Sequence, residues 1–290
     1  MTGSAKLRSG KTARDENFPV ASWLIKRRHR PVIRAFYEFV RIADDIADHP
    51  GLDRAEKLSR LDGLEASLLG RGDEAEALRL GAALAGRGLS TRHAQDLLRA
   101  FRQDVVKSRY ADWDELIAYC SLSAMPVGRF VLEVHGETNA TWPASDALCA
   151  ALQIINHLQD CAADYRLLDR VYIPLDMLAA RKIGVEALGK GPASPALKEC
   201  LTAVVSRTAT LLQASRGLEA SVIDARLALE ISVIQSLAGR LVAILRTRDP
   251  LSEAVHLTKA GAIAAAAGGG ARSLLRRVSR MGTTHRYQAP

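Results

Sequence analysis

The stretch Phe36–Asp48, FYEFVRIADDIAD, places Tyr37, Arg41, Asp44 and Asp48 at offsets of zero, four, seven and eleven. At about 100° per residue, these four polar side chains form one stripe on one face of a helix. Phe36, Phe39, Val40, Ile42 and Ile46 cover much of the remaining circumference. This inverts the usual surface helix, in which the apolar stripe is the narrow one. A buried row with two carboxylates needs compensating cations, because isolated charges in a low-dielectric interior are costly or become neutralised. Arg41 can serve one carboxylate, and the second demands more. Taken alone, the stretch also reads as a solvated acidic helix end.

A second stretch, Gln153–Asp164, QIINHLQDCAAD, repeats the pattern with Gln153, Asn156, Asp160 and Asp164 at offsets of zero, three, seven and eleven. Two helices, each with Asp-x-x-x-Asp on one face, could point four carboxylates across a gap. Hard oxygen donors with no Cys or His on the stripe suit Mg²⁺, whose coordination is completed by water and substrate phosphate. The duplicated spacing therefore points to a site for Mg²⁺ and a diphosphate.

The two stretches lie on opposite sides of the midpoint of a 290-residue chain, which favours one domain. Hydrophobic residues make up 48% and aromatics 5%, and the abundance of Ala and Leu favours close-packed helices over sheet, giving an all-α reading. The formal net charge of +8 implies an anionic partner or surface. Basic residues cluster at Lys26–Arg30 and Arg272–Arg280 without a recognised nucleic-acid motif, so a diphosphate substrate and a lipid surface are the simpler expectations, and no nucleic-acid partner is expected. Cys120, Cys149, Cys161 and Cys200 form no C-x-x-C pair and read as core residues in a reducing cytoplasm.

The first 15 residues are basic and polar with no apolar run after them, which predicts disorder and no secretory signal. Residues 16–260 are expected to form the domain, and 261–290 an Ala/Gly-rich and basic tail that makes peripheral membrane contact. No run reaches the ~18 apolar residues of a spanning helix. Along the chain, Pro31 is expected to open the first acidic helix, Asp53 to cap the next, and Asp146 to cap the helix of the second stripe. Pro126 and Gly128 in SAMPVG predict either a functional kink or a simple break between two helices. The glycines of Ala260–Gly270 are expected to stop their helix.

YEFVRIADDIAD, SAMPVG and QIINHLQDCAADYRLLDRVYIP, in that order, resemble the head-to-head isoprenoid synthases, which include squalene, dehydrosqualene and phytoene synthases. The resemblance spans about Asn17 to Lys259. It implies a single-domain isoprenoid-synthase helical bundle with a central apolar cavity. NFPVAS and the Gln at 159, where many condensing relatives carry Arg, resemble most the bacterial hopanoid-pathway branch, which converts presqualene diphosphate and water to hydroxysqualene. By the same resemblance Asp44, Asp48, Asp160 and Asp164 would bind Mg²⁺ with help from Asn156. Arg41 and Tyr37 would contact the diphosphate with Gln153 beside them, and Val127, Gly128 and Val131 would line the prenyl tunnel. Phe18 would mark the cavity rim, and Lys259 is carried over near the C-terminus. The alternatives are head-to-head condensation of two prenyl diphosphates to presqualene diphosphate, squalene or phytoene, and a non-catalytic helical protein docking on membranes. No G-x-G-x-x-G follows a strand, which disfavours a nicotinamide cofactor.

Overall fold

The structure, a computed structural model, describes residues 25–258 and 260–271. Phe18, Lys259, the basic segment Arg272–Arg280 and the N-terminal stretch with NFPVAS lie outside the described residues. The order is α1 (Arg30–Ala47), α2 (Arg54–Leu68), α3 (Ala75–Ala85), α4 (Arg92–Val106), α5 (Trp113–Ser123), α6 (Met125–His135), α7 (Trp142–Leu168), α8 (Leu175–Ala179), α9 (Pro195–Ala214), α10 (Leu218–Ser221) and α11 (Ala225–Leu245), followed by α12 (Ala260–Ala271). Among the described residues there is no strand, only an isolated parallel bridge between Arg109 and Val171. The all-α reading holds.

Local chemistry accounts for many of the boundaries. Pro31 sits in the first turn of α1, where its missing N–H costs nothing. Asp53 and Glu56 form a reciprocal capping box on α2. Asp112, Ser194 and Asp224 cap α5, α9 and α11 through their side chains. Asp146 does not cap α7, which begins four residues earlier. Its carboxylate instead takes two hydrogen bonds from Arg129 of α6, at 2.8 and 2.5 Å, a bidentate pair that sequence alone could not show.

In SAMPVG the chain breaks at Ala124 (φ −128°, ψ −48°), and Pro126 falls in the first turn of α6 rather than inside a helix. A break between two helices is therefore the outcome. Gly128 is required by contact: a Cβ there would lie 2.5 Å from both Cys149 Sγ and Ser145 Oγ of α7. The absent side chain lets α6 and α7 pack backbone against side chain.

The 27-residue α7, ~40 Å long, packs on α5, α6, α9 and α11. One apolar cluster joins α5, α7, α9 and α11 (Ile154, Ile155, Leu158, Val204, Leu241). A second joins α1 to α4 and α6 (Phe39, Leu61, Leu80, Leu97, Phe130). Each acidic stretch thus rides on a helix anchored in a different cluster.

Two expectations are corrected here. The Gly run does not stop its helix: α12 continues through Gly268–Gly270, and Ser232 Oγ of α11 donates to the carbonyl of Gly269 at 2.7 Å. Trp113–His135 and α11 are also long and apolar enough to cross a membrane by length and composition, with mean hydropathy 1.3 and 1.6. About half of each lies buried within this protein, and the first is interrupted at Ala124.

Candidate active site

The C-terminal ends of α1 and α7 carry the acidic residues together. Asp169 ends α7 in the left-handed region (φ 51°), so the chain turns back and the Arg170 N–H donates to the carbonyl of Asp164 at 3.0 Å. The turn sends the Arg170 side chain across to α1, where Nη1 donates to Asp48 Oδ1 at 2.6 Å. Arg170 is 8% exposed. Its charge also acts on Asp164 and on Asp104 of α4. Asp48, Asp104 and Asp164 thus share the field of one buried guanidinium, with the exposed Asp160 acting on Asp164.

That is too little positive charge. Burial, and next the neighbouring Asp160, push the Asp164 carboxyl up from 3.8 to about 7. Burial likewise raises Asp104 to about 6, even though its carboxylate accepts from Tyr119 Oη at 2.8 Å and Tyr172 Oη at 3.3 Å. The Tyr172 ring stacks on His157 with centroids 3.5 Å apart. Burial drives His157 down to about 3, so it is neutral near pH 7. An oxygen-only donor set rich in negative charge fits a hard divalent cation. Asp48, Asp160 and Asp164 would have to draw closer to share one, since among the described residues His29, His135 and Asp224 form the group whose ligating atoms lie within 4.8 Å of one another.

Nearer the N-terminus of α1 lies an apolar cavity of about 290 Å³. Its walls come from α1 (Phe36, Tyr37, Val40), α6 (Val127, Gly128, Val131), α7 (Leu148, Leu152) and α11 (Leu227, Ile231, Ile234). Val40 and Asp48 are separated by eight residues of one helix, ~12 Å. A carboxylate-rich mouth beside an apolar tunnel suits an amphiphile with an anionic head and a hydrocarbon tail.

The chain has known counterparts. The sequence pattern described as squalene/phytoene synthase matches residues 11–261. The chain belongs to the squalene/phytoene synthase family. Hydroxysqualene synthase of Rhodopseudomonas palustris is 60% identical over 278 residues, covering 96% of this chain and 95% of that one. Hydroxysqualene synthase of Sinorhizobium fredii is 52% identical over 284 residues, covering 98% and 97%. Among solved structures, squalene synthase HpnC from Alicyclobacillus acidocaldarius matches at 30% identity with a TM-score of 0.72, over 84% of this chain and 91% of that one.

The residues singled out from sequence fall into three groups. Asp48 and Asp164 come together around Arg170, and Asp160, exposed on α7, acts on Asp164. Tyr37, Val127, Gly128 and Val131 lie on the cavity wall. Arg41 is clamped between Asp44 Oδ2 at 3.0 Å and Asp45 Oδ1 at 3.2 Å. Here the stripe reading needs correcting, because Asp45, off the stripe, is the buried carboxylate at 8% exposure. The side chains of Asp44 and Asp48 keep 39% and 38% of their surface. Asn156 is half-buried on α7, and the Gln153 amide lies 3.2 Å from His157 Nε2. Gln159 donates to the carbonyl of Val255 and so ties α7 to the chain after α11.

Sequence reasoning assigned no role to Arg170, Asp104, Tyr119, Tyr172 or His157. Arg170 and Tyr172 stand in DRVYIP, a string noted only for its resemblance. A charged residue six positions after Asp164 was the one available signal.

The raised Asp164 carboxyl has a consequence for stability. Between pH 4 and 7 the folded chain keeps a proton that the unfolded chain has released, so this contribution favours folding at low pH and is lost as pH rises through about 7. Asp164→Asn removes the effect. In EDTA at pH 8 the variant is expected to be more stable than the parent by at least about 1 kcal/mol, with the difference closing towards pH 4. Urea unfolding at both pH values measures this, and a variant less stable at pH 8 would contradict it.

Proposed function

We propose that the chain converts presqualene diphosphate and water to hydroxysqualene and diphosphate with Mg²⁺, in the cytoplasm. The observation that carries this reading is 60% and 52% identity to two hydroxysqualene synthases over nearly the whole chain. The paired acidic motifs and the adjoining apolar cavity support it. Asp44, Asp48, Asp160 and Asp164, with Asn156, would hold Mg²⁺, which when bound supplies the charge that stabilises the departing diphosphate. Arg41 and Arg170 add fixed positive charge to the same end, already oriented by their carboxylate partners. As the carbon–oxygen bond breaks, its electron pair leaves with the diphosphate. The carbon skeleton is then held by the walls of the cavity, from Tyr37 to Ile234, which offer few groups able to quench a cation. One water oxygen bonds to carbon and one proton is released. The reaction is redox-neutral and consumes no nicotinamide.

Incubation with presqualene diphosphate and Mg²⁺, without nicotinamide, is expected to give hydroxysqualene by mass analysis of the lipid extract. A product formed only from two farnesyl diphosphates would assign the chain to condensation instead. Peripheral membrane contact through Arg272–Arg280 belongs to the same reading, because substrate and product are lipids. Truncation after Gly270 is expected to lower co-sedimentation with anionic vesicles at low salt, and equal binding by the truncated chain would remove the segment from that role.

A further inference from the structure

A second cavity, of about 330 Å³, opens at the acid cluster and shares no lining residue with the tunnel. It lies among the C-terminal ends of α1, α4 and α7 and the first turn of α2, and Arg54, Lys57, Lys107, Arg170, Asp48 and Asp104 face it. Most of these charges are already matched. Arg170 holds Asp48, Lys107 holds Glu115, and Asp104 accepts from two tyrosines. Asp169, also on the wall, is held by Arg109 at 2.5 Å. Arg54 and Lys57 remain, and neither makes an ion pair among the described residues.

Their placement is unfavourable for the empty protein in two ways. Both stand in the first turn of α2, where the helix dipole favours negative charge rather than positive. Lys57 is half-buried, and burial, then the charge of Arg170, lowers its pKa. An anion in the cavity would relieve both. The charged wall does not suit a hydrocarbon chain, which the separate apolar tunnel accommodates. The ligand this cavity suits is therefore small, multiply charged and free of its lipid.

We propose that this cavity is a metal-independent binding site for inorganic diphosphate, formed by Arg54 and Lys57 with Arg170 at its inner wall, which receives the leaving group after release. The functional role rests on the diphosphate-releasing reaction above, whereas the binding itself does not. Arg170 is the shared element, touching the acid cluster through Asp48 and the second cavity directly. An exit separate from the tunnel lets diphosphate depart while the hydrocarbon still fills the tunnel.

Calorimetric titration of the full chain with inorganic diphosphate in EDTA tests the site without turnover. One binding event is expected, weakening with salt, reduced at least tenfold in the Arg54→Ala/Lys57→Ala double variant and retained in Lys57→Arg. Asp160→Asn is expected to keep it, which separates it from binding through Mg²⁺. Circular dichroism of the double variant guards against misfolding. Absence of binding in EDTA, equal binding by the double variant, or equally tight binding of sulfate would overturn the proposal. A chain that binds diphosphate in this way but does not turn over presqualene diphosphate would contradict the reaction and leave the site standing. Normal turnover without EDTA-resistant binding would do the reverse.

Discussion

Asparagine in place of Asp160 or Asp164 is expected to lower kcat with presqualene diphosphate by roughly a thousandfold, on the order of 4 kcal/mol of barrier. The substitution keeps size and hydrogen-bonding capacity but removes one negative charge from a group of carboxylates in which burial, and then the charge of Asp160, raises the Asp164 carboxyl. Without a cation bound, that loss relieves the fold. With one bound, it removes a ligand charge that fixes where the leaving diphosphate is neutralised. Stability and activity should therefore move in opposite directions, a signature that a packing defect cannot give. Steady-state kinetics across a Mg²⁺ titration, with far-UV circular dichroism as the control for folding, measures it. Turnover within tenfold of the parent in both variants would remove the metal assignment, and Asp44→Ala and Asp48→Ala extend the same test to α1.

Arg170→Met is expected to be the most destabilising single change at the site, costing about 3–5 kcal/mol, because it removes the buried cation and leaves its carboxylate partners facing one another. The methylene stem is retained, so the loss reports charge and hydrogen bonding more than volume. Pairing it with Asp48→Asn should recover part of the stability, since the 2.6 Å contact then loses both charges together. Urea denaturation of the two single variants and the double variant closes the cycle. A loss below about 1 kcal/mol for Arg170→Met would show that water already neutralises the cluster.

How much of this was legible in the sequence depended on distance along the chain. Tyr37 to Asp48 and Gln153 to Asp164 repeat at the helical period, so the two acidic faces could be read directly from spacing. The fold class followed from composition. The Asp104–Tyr119–Tyr172–His157 group could not be read in this way. It forms only because residues 108–111 hydrogen-bond to residues 171–176, as in Val171 N–H to Ser108 O at 2.9 Å and Leu175 N–H to Tyr110 O at 3.0 Å. Nothing periodic announces such a pairing. Asp146 was misread for a related reason: an acid near a helix start resembles a cap until a partner on another helix, here Arg129, is known. The glycines of α12 were read by their backbone freedom, whereas Gly269 serves close approach. A Cβ there would lie 2.6 Å from the Ser232 carbonyl oxygen.

The left-handed turn at Asp169 also constrains how this chain can change length. The reach from Asp164 to Arg170 is one helical turn plus a single reversed residue. Adding or deleting a residue there would rotate the guanidinium by about 100° and aim it away from Asp48. Length variants of this protein should therefore be tolerated in the connector around Gly184–Pro195 and eliminated between Asp164 and Arg170. A deep insertion scan with a growth readout would show the second segment as a gap. The number of residues between Asp164 and Arg170 thus matters to the site as much as their identities do.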